Sequence, residues 1–319
     1  MTSAILFPGQ GAQALGMGLD VAAGESAARA VFDEAAEVLG RDLRDVIGGD
    51  DAGALDRTDV CQPAILVTSL AILAAAEARG LLDPKGVSAA AGLSLGEYTA
   101  LTWAGALELS DAVRLVAVRG RAMQQASEER PSGMLSLVGA TPEAAAALCD
   151  ASRGDGVLVV ANLLAPGQVA IAGTLDALER AEGALRDHGI RKGVRLSVAG
   201  AFHSPCMASA AAALNEALTA APLKAPRVPV VMNVSAEPTS DPDAIRELLA
   251  RQIVSPVLWQ ASMESLLASG ATDFLEPGPG RQLTNMLRRY DTATTVTTCN
   301  DLGELDALSR WPGPAGGQD

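Results

Sequence analysis

Gly92-Leu93-Ser94-Leu95-Gly96 has the G-x-S-x-G spacing of a nucleophile elbow, the sharp strand-to-helix turn that holds a serine exposed and strained. Glycines two residues to either side suit such a turn because side chains there collide with neighbouring backbone. Ser94 is therefore a candidate for an acyl-ester intermediate. In a chain with 32 glycines the pattern alone fits an ordinary strand-to-helix turn equally well. A serine hydroxyl needs a base, usually histidine, and the chain has 2. His188 lies near the end of an amphipathic helical stretch, where a solvated or helix-capping role suits it. His203, in Gly200-Ala201-Phe202-His203-Ser204-Pro205, sits at a crossover between stretches of different rhythm, a place that borders clefts. An acyl-serine site also needs N–H donors for its oxyanion. Leu95, after the nucleophile, supplies one by position. The loop Phe7–Gln13, with Gly9 and Gly11, is the candidate for the second, and it lacks the spacings of phosphate-binding glycine loops.

Elements must carry these residues to one place. Ala4–Phe7 reads as a strand, followed by two helix candidates, a strand Ser88–Leu93, a helix from Glu97, and a helix capped by Ser110 that runs to about Ala126. That alternation predicts an α/β fold with a mostly parallel sheet covered by helices, and an elbow serine on such a sheet makes it α/β-hydrolase-like. Between about Glu128 and Val198 the order changes to strand 134–138, helix 142–151, strands 156–162 and 168–172, helix 175–188 and strand 193–198. This is the β-α-β-β-α-β order of a ferredoxin-like unit. The expected organisation is a large domain from residues 1–127 and 199–310, an inserted small ferredoxin-like domain at 128–198, and a flexible Pro/Gly-rich tail at 311–319. After the insertion come a helix following Pro205, strand Val228–Asn233, a helix from Pro242 capped by Asp241, strand Asp273–Glu276 and strand Thr294–Thr298.

The 319 residues are 49% apolar, enough for one large core plus a small domain. With 24 basic and 38 acidic residues the net charge is -14, which opposes general binding to nucleic acid or anionic membranes. Cys61, Cys149, Cys206 and Cys299 are widely spaced and show no C-x-x-C pair, so neither a disulfide framework nor a metal site is expected. A reducing cytoplasm is the simplest home. Ile5-Leu6-Phe7 runs straight into Pro8-Gly9 with no basic segment before it, so no secretory signal is expected. Ala64–Ala76 is expected to be a buried core helix, too short and interrupted to span a bilayer.

A set of ordered motifs then carries a family resemblance. Phe-Pro-Gly-Gln-Gly-Ala-Gln at 7–13, Gln62-Pro63-Ala64, Gly-Leu-Ser-Leu-Gly-Glu-Tyr at 92–98, Val118-Arg119-Gly120, Ala-Phe-His-Ser-Pro at 201–205, Gln252 with Ser255-Pro256-Val257 and Trp259, and Glu276-Pro277-Gly278-Pro279-Gly280 follow one another over nearly the whole chain. Together they resemble the malonyl-CoA:acyl carrier protein transacylases and the related acyltransferases of polyketide synthases, including freestanding ones. The resemblance implies Ser94 as nucleophile, His203 as general base and acid, and the N–H groups of Gln10 and Leu95 as oxyanion donors. It implies a backbone carbonyl near Gln252 as the group that orients the histidine, in place of a buried Asp. Arg119 matches the arginine that binds the free malonyl carboxylate, a role its planar fork suits. Met123, one helical turn on, and Asn162 would border the acyl pocket, and the bulky Phe202 would hinder an α-methyl branch. The implied reaction is a ping-pong transfer from malonyl-CoA to the phosphopantetheine thiol of an acyl carrier protein, by a monomer with no bound cofactor. Arg191, Lys192, Arg195, Arg281, Arg288 and Arg289 are candidates for a basic face toward an acidic carrier.

Two positions depart from the commonest family pattern. Leu93 stands where histidine is usual, and Leu164 stands where many members carry a second asparagine. Both changes remove polar groups near the expected pocket and point to a specialised pathway member or an unusual acyl group. The rival readings are a hydrolase that clears wrong acyl groups from carrier proteins and a noncatalytic carrier-docking module.

Overall fold

The computed structural model describes residues 2–290 and 293–313. Its first strand, β1 (Thr2–Phe7), sends Ile5 and Phe7 into one apolar core and Ala4 and Leu6 into another, as the two-residue period of a strand requires. Burial on both faces is the mark of a central parallel strand. The chain then passes through α1 (Leu19–Gly24), α2 (Ser26–Leu39), α3 (Leu43–Ile47), α4 (Ala52–Asp56) and α5 (Thr58–Ala78), where two helices were expected. It returns as β2 (Val87–Gly92), parallel to β1.

Helix α5 starts at Thr58, earlier than the expected Ala64, and runs through Pro63. Proline is tolerated here because the carbonyl it leaves unbonded, that of Asp59, accepts from Arg41 Nη2 at 3.1 Å. By length and composition α5 is able to cross a bilayer, yet 89% of its most apolar window is buried inside the fold. Next come α6 (Gly96–Trp103) and α7 (Leu109–Glu129). Ser110 does not cap α7: the cap position is Glu108, without a side-chain bond, and the helix has already begun at Leu109.

A second, antiparallel sheet follows, built from β3 (Ser132–Val138), α8 (Pro142–Ser152), β4 (Leu158–Ala165), β5 (Gln168–Thr174), α9 (Leu175–Ala184) and β6 (Lys192–Arg195). Its strand order is β4-β5-β3-β6, and its own core joins Leu135, Ile171 and Leu158 to Leu148 of α8 and Leu178 of α9. Helix α9 gives way to a 3-10 turn at Leu185–His188, and β6 ends at Arg195 instead of Val198. The Val198 N–H bonds back to the Leu196 carbonyl, which turns the chain out of the sheet.

The remaining elements complete the first sheet: α10 (Ala208–Ala220), β7 (Val230–Val231), β8 (Pro238–Thr239), α11 (Pro242–Gln252), α12 (Trp259–Ala268), β9 (Ala271–Pro277), α13 (Gln282–Leu287), β10 (Thr295–Cys299) and α14 (Leu302–Ala307). Asp241 caps α11 as expected, accepting from the Asp243 N–H. The strand expected over 228–233 shrinks to two residues. Pro229 has no N–H for the ladder, and the Asn233 N–H turns away to a side chain. The sheet order is β10-β9-β1-β2-β7-β8, parallel except for the β7-β8 pair.

Helices α2, α5, α7 and α10 contribute to the core on one face, and α12 and α13 to the core on the other. The tail is not loose from Trp311 as expected. Trp311 is buried, donates its N–H to the Leu81 carbonyl and accepts from the Asp83 N–H, because one large apolar ring outweighs the Pro/Gly composition around it. Residues 314–319 of that expected tail lie outside the described residues.

Glycine is demanded most strictly at Gly92, where a Cβ would lie 1.9 Å from the Gly96 carbonyl carbon. Overpacking against backbone has no rotamer escape, so Gly92→Ala is expected to cost about 3 kcal/mol or more. Urea unfolding checks this; a wild-type midpoint with full activity would show that the elbow is not close-packed.

Candidate active site

From β1 the chain builds the sheet outward on one side through β2 and β7, and later on the other through β9 and β10. In open α/β sheets ligands bind beyond the carboxyl ends of the strands at such a reversal. The loops after β1 and β2 meet there, and Gly9 packs so close to the elbow that a Cβ on it would lie 2.4 Å from the Leu93 carbonyl oxygen. The Leu93 N–H donates to the Phe7 carbonyl at 3.0 Å, clipping the elbow to the end of β1.

Ser94 has φ 52° and His203 has φ 58°, both in the left-handed region that non-glycine residues avoid. Such residues cost about 1–3 kcal/mol each and persist only where the surroundings hold them. At the elbow the holder is Asn233. Its Oδ1 accepts from the Ser94 N–H at 2.7 Å and its Nδ2 donates to the Gly92 carbonyl at 2.8 Å, so one amide grips both ends of the turn.

Ser94 Oγ lies 2.8 Å from His203 Nε2, and His203 Nδ1 lies 2.9 Å from the Gln252 carbonyl oxygen. A carbonyl only accepts, so Nδ1 carries the proton and the neutral ring presents Nε2 as acceptor to the serine hydroxyl. Burial, and then the nearby Arg119 charge, push the His203 pKa down to about 4. The ring is therefore unprotonated throughout the neutral range, ready to take a proton.

Arg119, on α7, is fully buried. Its Nη1 donates to Gln62 Oε1 at 2.6 Å, and its Nη2 donates to Ser94 Oγ at 3.0 Å and to Gln252 Oε1 at 2.9 Å. Its Nε meets no acceptor, and the Tyr98 ring packs against the guanidinium at 5.5 Å. All of these partners are uncharged. The anion nearest in charge is the Glu97 carboxylate, joined to the guanidinium through Gln252, and the buried Nε is left as a donor without a partner.

Ser94 and His203 line a cleft of about 100 Å³ between the two sheets. Gln10, Met123, Asn162 and Phe202 line it, Arg119 lies behind its lining, and Leu93 and Leu164 give it an apolar wall that continues into the core around Trp259. Neither the Gln10 nor the Leu95 backbone N–H has an acceptor among the described residues. Gln62 Nε2 reaches Gln10 Oε1 at 3.2 Å and Met123 Sδ at 3.4 Å, tying the first loop to Arg119. A backbone seam joins β4 to the segment between α11 and α12 at Asn162, where Leu163 N–H donates to the Val257 carbonyl and Val257 N–H to the Ala161 carbonyl, both at 2.9 Å. His188 lies in the 3-10 turn after α9, outside the cleft.

Of the six candidates for a basic face, Arg195 pairs with Glu182 and Arg281 with Glu304. Asn233 and Glu97 are the residues that sequence reasoning missed. Glu97 stood in view directly after the elbow, a lone charge at the head of an apolar helix, but its partners are distant in sequence.

The chain matches the family model described as acyl transferase domain over residues 5–307. It is 38% identical over 299 residues to the malonyl CoA-acyl carrier protein transacylase of Bacillus subtilis, covering 93% of each chain. The crystal structure of an acyl carrier protein S-malonyltransferase from Vibrio cholerae superposes with a TM-score of 0.90 at 37% identity, covering 97% of this chain and 100% of that one. A type II polyketide synthase acyl-carrier protein in complex with its malonyl-transacylase matches with a TM-score of 0.92 at 35% identity, covering 97% and 99%.

Proposed function

The chain belongs to the acyl transferase domain family, and from that premise we propose that Ser94 and His203 are its nucleophile and its general base and acid. It is an acyltransferase that moves a malonyl group from CoA to the phosphopantetheine thiol of an acyl carrier protein, in fatty acid or polyketide assembly. The observation that carries the assignment of roles is the 2.8 Å contact between Ser94 Oγ and His203 Nε2, with Arg119 Nη2 on the same hydroxyl.

Arg119 receives the malonyl carboxylate on its Nε and on Nη2, which gives up its bond to Ser94 Oγ as the substrate enters. As Ser94 Oγ attacks the thioester carbonyl, His203 Nε2 takes its proton. The oxyanion is held by the N–H groups of Gln10 and Leu95. When the tetrahedral species collapses, the C–S bond breaks, His203 returns the proton to the CoA sulfur, and the malonyl ester remains on Ser94. The carrier thiol then attacks that ester, gives its proton to His203, and Ser94 leaves with it. Gln252 orients the histidine through its carbonyl, in the place of a third acid. Met123, Asn162 and Phe202 shape the acyl end of the cleft.

The insertion is read as a ferredoxin-like domain at 128–198, set in a large α/β-hydrolase-like domain formed by 1–127 and 199–310. Support comes from the strand order β4-β5-β3-β6 and the separate core beneath α8 and α9. A cytoplasmic setting is in keeping with four buried free cysteines. Incubation with radiolabelled malonyl-CoA tests the function: label is expected on the protein alone, and to move to holo carrier protein when that is added. Rapid release of free malonate in place of transfer would mark a hydrolase, and no label at all would mark a docking module.

A further inference from the structure

Glu97 is a fully buried acid beside the site for which the transfer chemistry has no task. Its Oε1 accepts from the Asn233 N–H at 2.5 Å and its Oε2 accepts from Gln252 Nε2 at 2.6 Å. The same Nε2 also donates to the Ser94 carbonyl at 2.9 Å, while Gln252 Oε1 takes the bond from Arg119. Gln252 thus joins four groups: its side chain touches Glu97, Ser94 and Arg119, and its carbonyl holds His203.

We propose that Glu97 is a positioning residue for the acyl transfer, which as a carboxylate locks the Gln252 amide in the orientation that serves Arg119, Ser94 and His203 together. The reason lies in the partners. Both groups that face its oxygens are N–H donors, so the residue at 97 must offer two acceptors. A carboxylate does; a glutamine offers one acceptor and sets its NH2 against the other N–H, and a protonated glutamic acid keeps only a weak acceptor on its hydroxyl oxygen and brings in an O–H donor. Relief of that donor–donor contact turns the Gln252 amide over. Its NH2 then faces the Arg119 guanidinium, its oxygen faces the Ser94 carbonyl, and the segment that fixes the histidine ring shifts with it.

The anion is favoured by Arg119 from α7, while Tyr98, next on α6, is the other titratable neighbour; β7 and α11 present neutral amides through Asn233 and Gln252. Burial nevertheless pushes the Glu97 pKa up to about 7, well above His203 at about 4. In the neutral range it is therefore Glu97 that titrates, and the competent, ionised form is lost as pH falls through that value.

The inference rests on Ser94 and His203 being nucleophile and base, which the loss of label in Ser94→Ala tests separately. The experiment is the pH profile of Ser94 acylation by malonyl-CoA in wild type and in Glu97→Gln, together with infrared difference spectra that follow the carbonyl band of a protonated buried carboxyl. Wild type is expected to show a rate that rises through a step near neutral pH, and a carboxyl band that disappears over the same step. In Glu97→Gln the band is expected to be missing, kcat at alkaline pH to fall roughly 10- to 100-fold, and KM to stay within about threefold. The profile of this variant should be flat down to the acid range where His203 protonates. Wild-type rates in Glu97→Gln, or a uniform loss with the step retained, would overturn the proposal, as would a Glu97 that stays ionised in the infrared at acid pH. Should Glu97→Gln fail to fold, the wild-type experiment still decides: rate step and carboxyl band must share one midpoint.

Discussion

Ser94→Ala is expected to lose all covalent label from malonyl-CoA and to drop in kcat by at least about 10⁴-fold, the scale on which serine-histidine enzymes fail without their nucleophile. No other hydroxyl or thiol among the described residues lines the cleft, so nothing can substitute at the attacking position. All four cysteines are buried, and three of them have thiol pKa values that burial pushes up to about 12. The fold should survive, since the side chain bonds only His203 and Arg119 and the strained backbone is gripped by Asn233 at the main chain. Intact-mass spectrometry after incubation with malonyl-CoA reads the outcome. An acylated Ser94→Ala protein with unchanged melting would remove Ser94 from the mechanism.

Arg119→Ala is expected to lower kcat/KM for malonyl-CoA by about 10²–10⁴-fold, while acetyl-CoA is affected little, so that the preference between them collapses. The guanidinium is buried among neutral partners, and its loss leaves the substrate carboxylate to be desolvated with no counter-charge. His203 should become easier to protonate in this variant, because the second cause of its lowered pKa is removed. Arg119→Lys should recover only part of the malonyl rate, as an ammonium supplies charge without the parallel pair of bonds. Competition between the two acyl-CoAs measures the ratio; a preserved malonyl preference in Arg119→Ala would overturn the carboxylate role.

What could be read from the chain was whatever is local or strongly patterned. The elbow at Ser94 is five residues long, and its glycines report a steric demand that needs no distant partner. The strand at Ala4–Phe7 and the long β-α-β-β-α-β stretch showed themselves through periodicity. The extent of short strands did not: the strand expected over 228–233 keeps two ladder residues because the Asn233 N–H bonds to Glu97, which is 136 positions away in sequence. Gln252 likewise meets Glu97 across 155 positions. An acid directly after a nucleophile looks like any helix-start carboxylate, and only the packed structure reveals that two N–H donors face it. The first turns of α5 were hidden for the same reason: Pro63 lies inside the helix, and the carbonyl it frees at Asp59 is taken up by Arg41, 18 positions away.

The backbone seam between Asn162 and Val257 has a mechanical consequence. Paired main chain resists sliding far more than side-chain packing does, so that flank of the cleft behaves as the spine of a book. On another margin, the Leu196 N–H makes a last bond to the Met134 carbonyl of β3, and Val198 lies beyond the sheet. Any widening of the cleft therefore costs fewest backbone bonds at the Val198 margin and most at the Asn162 flank.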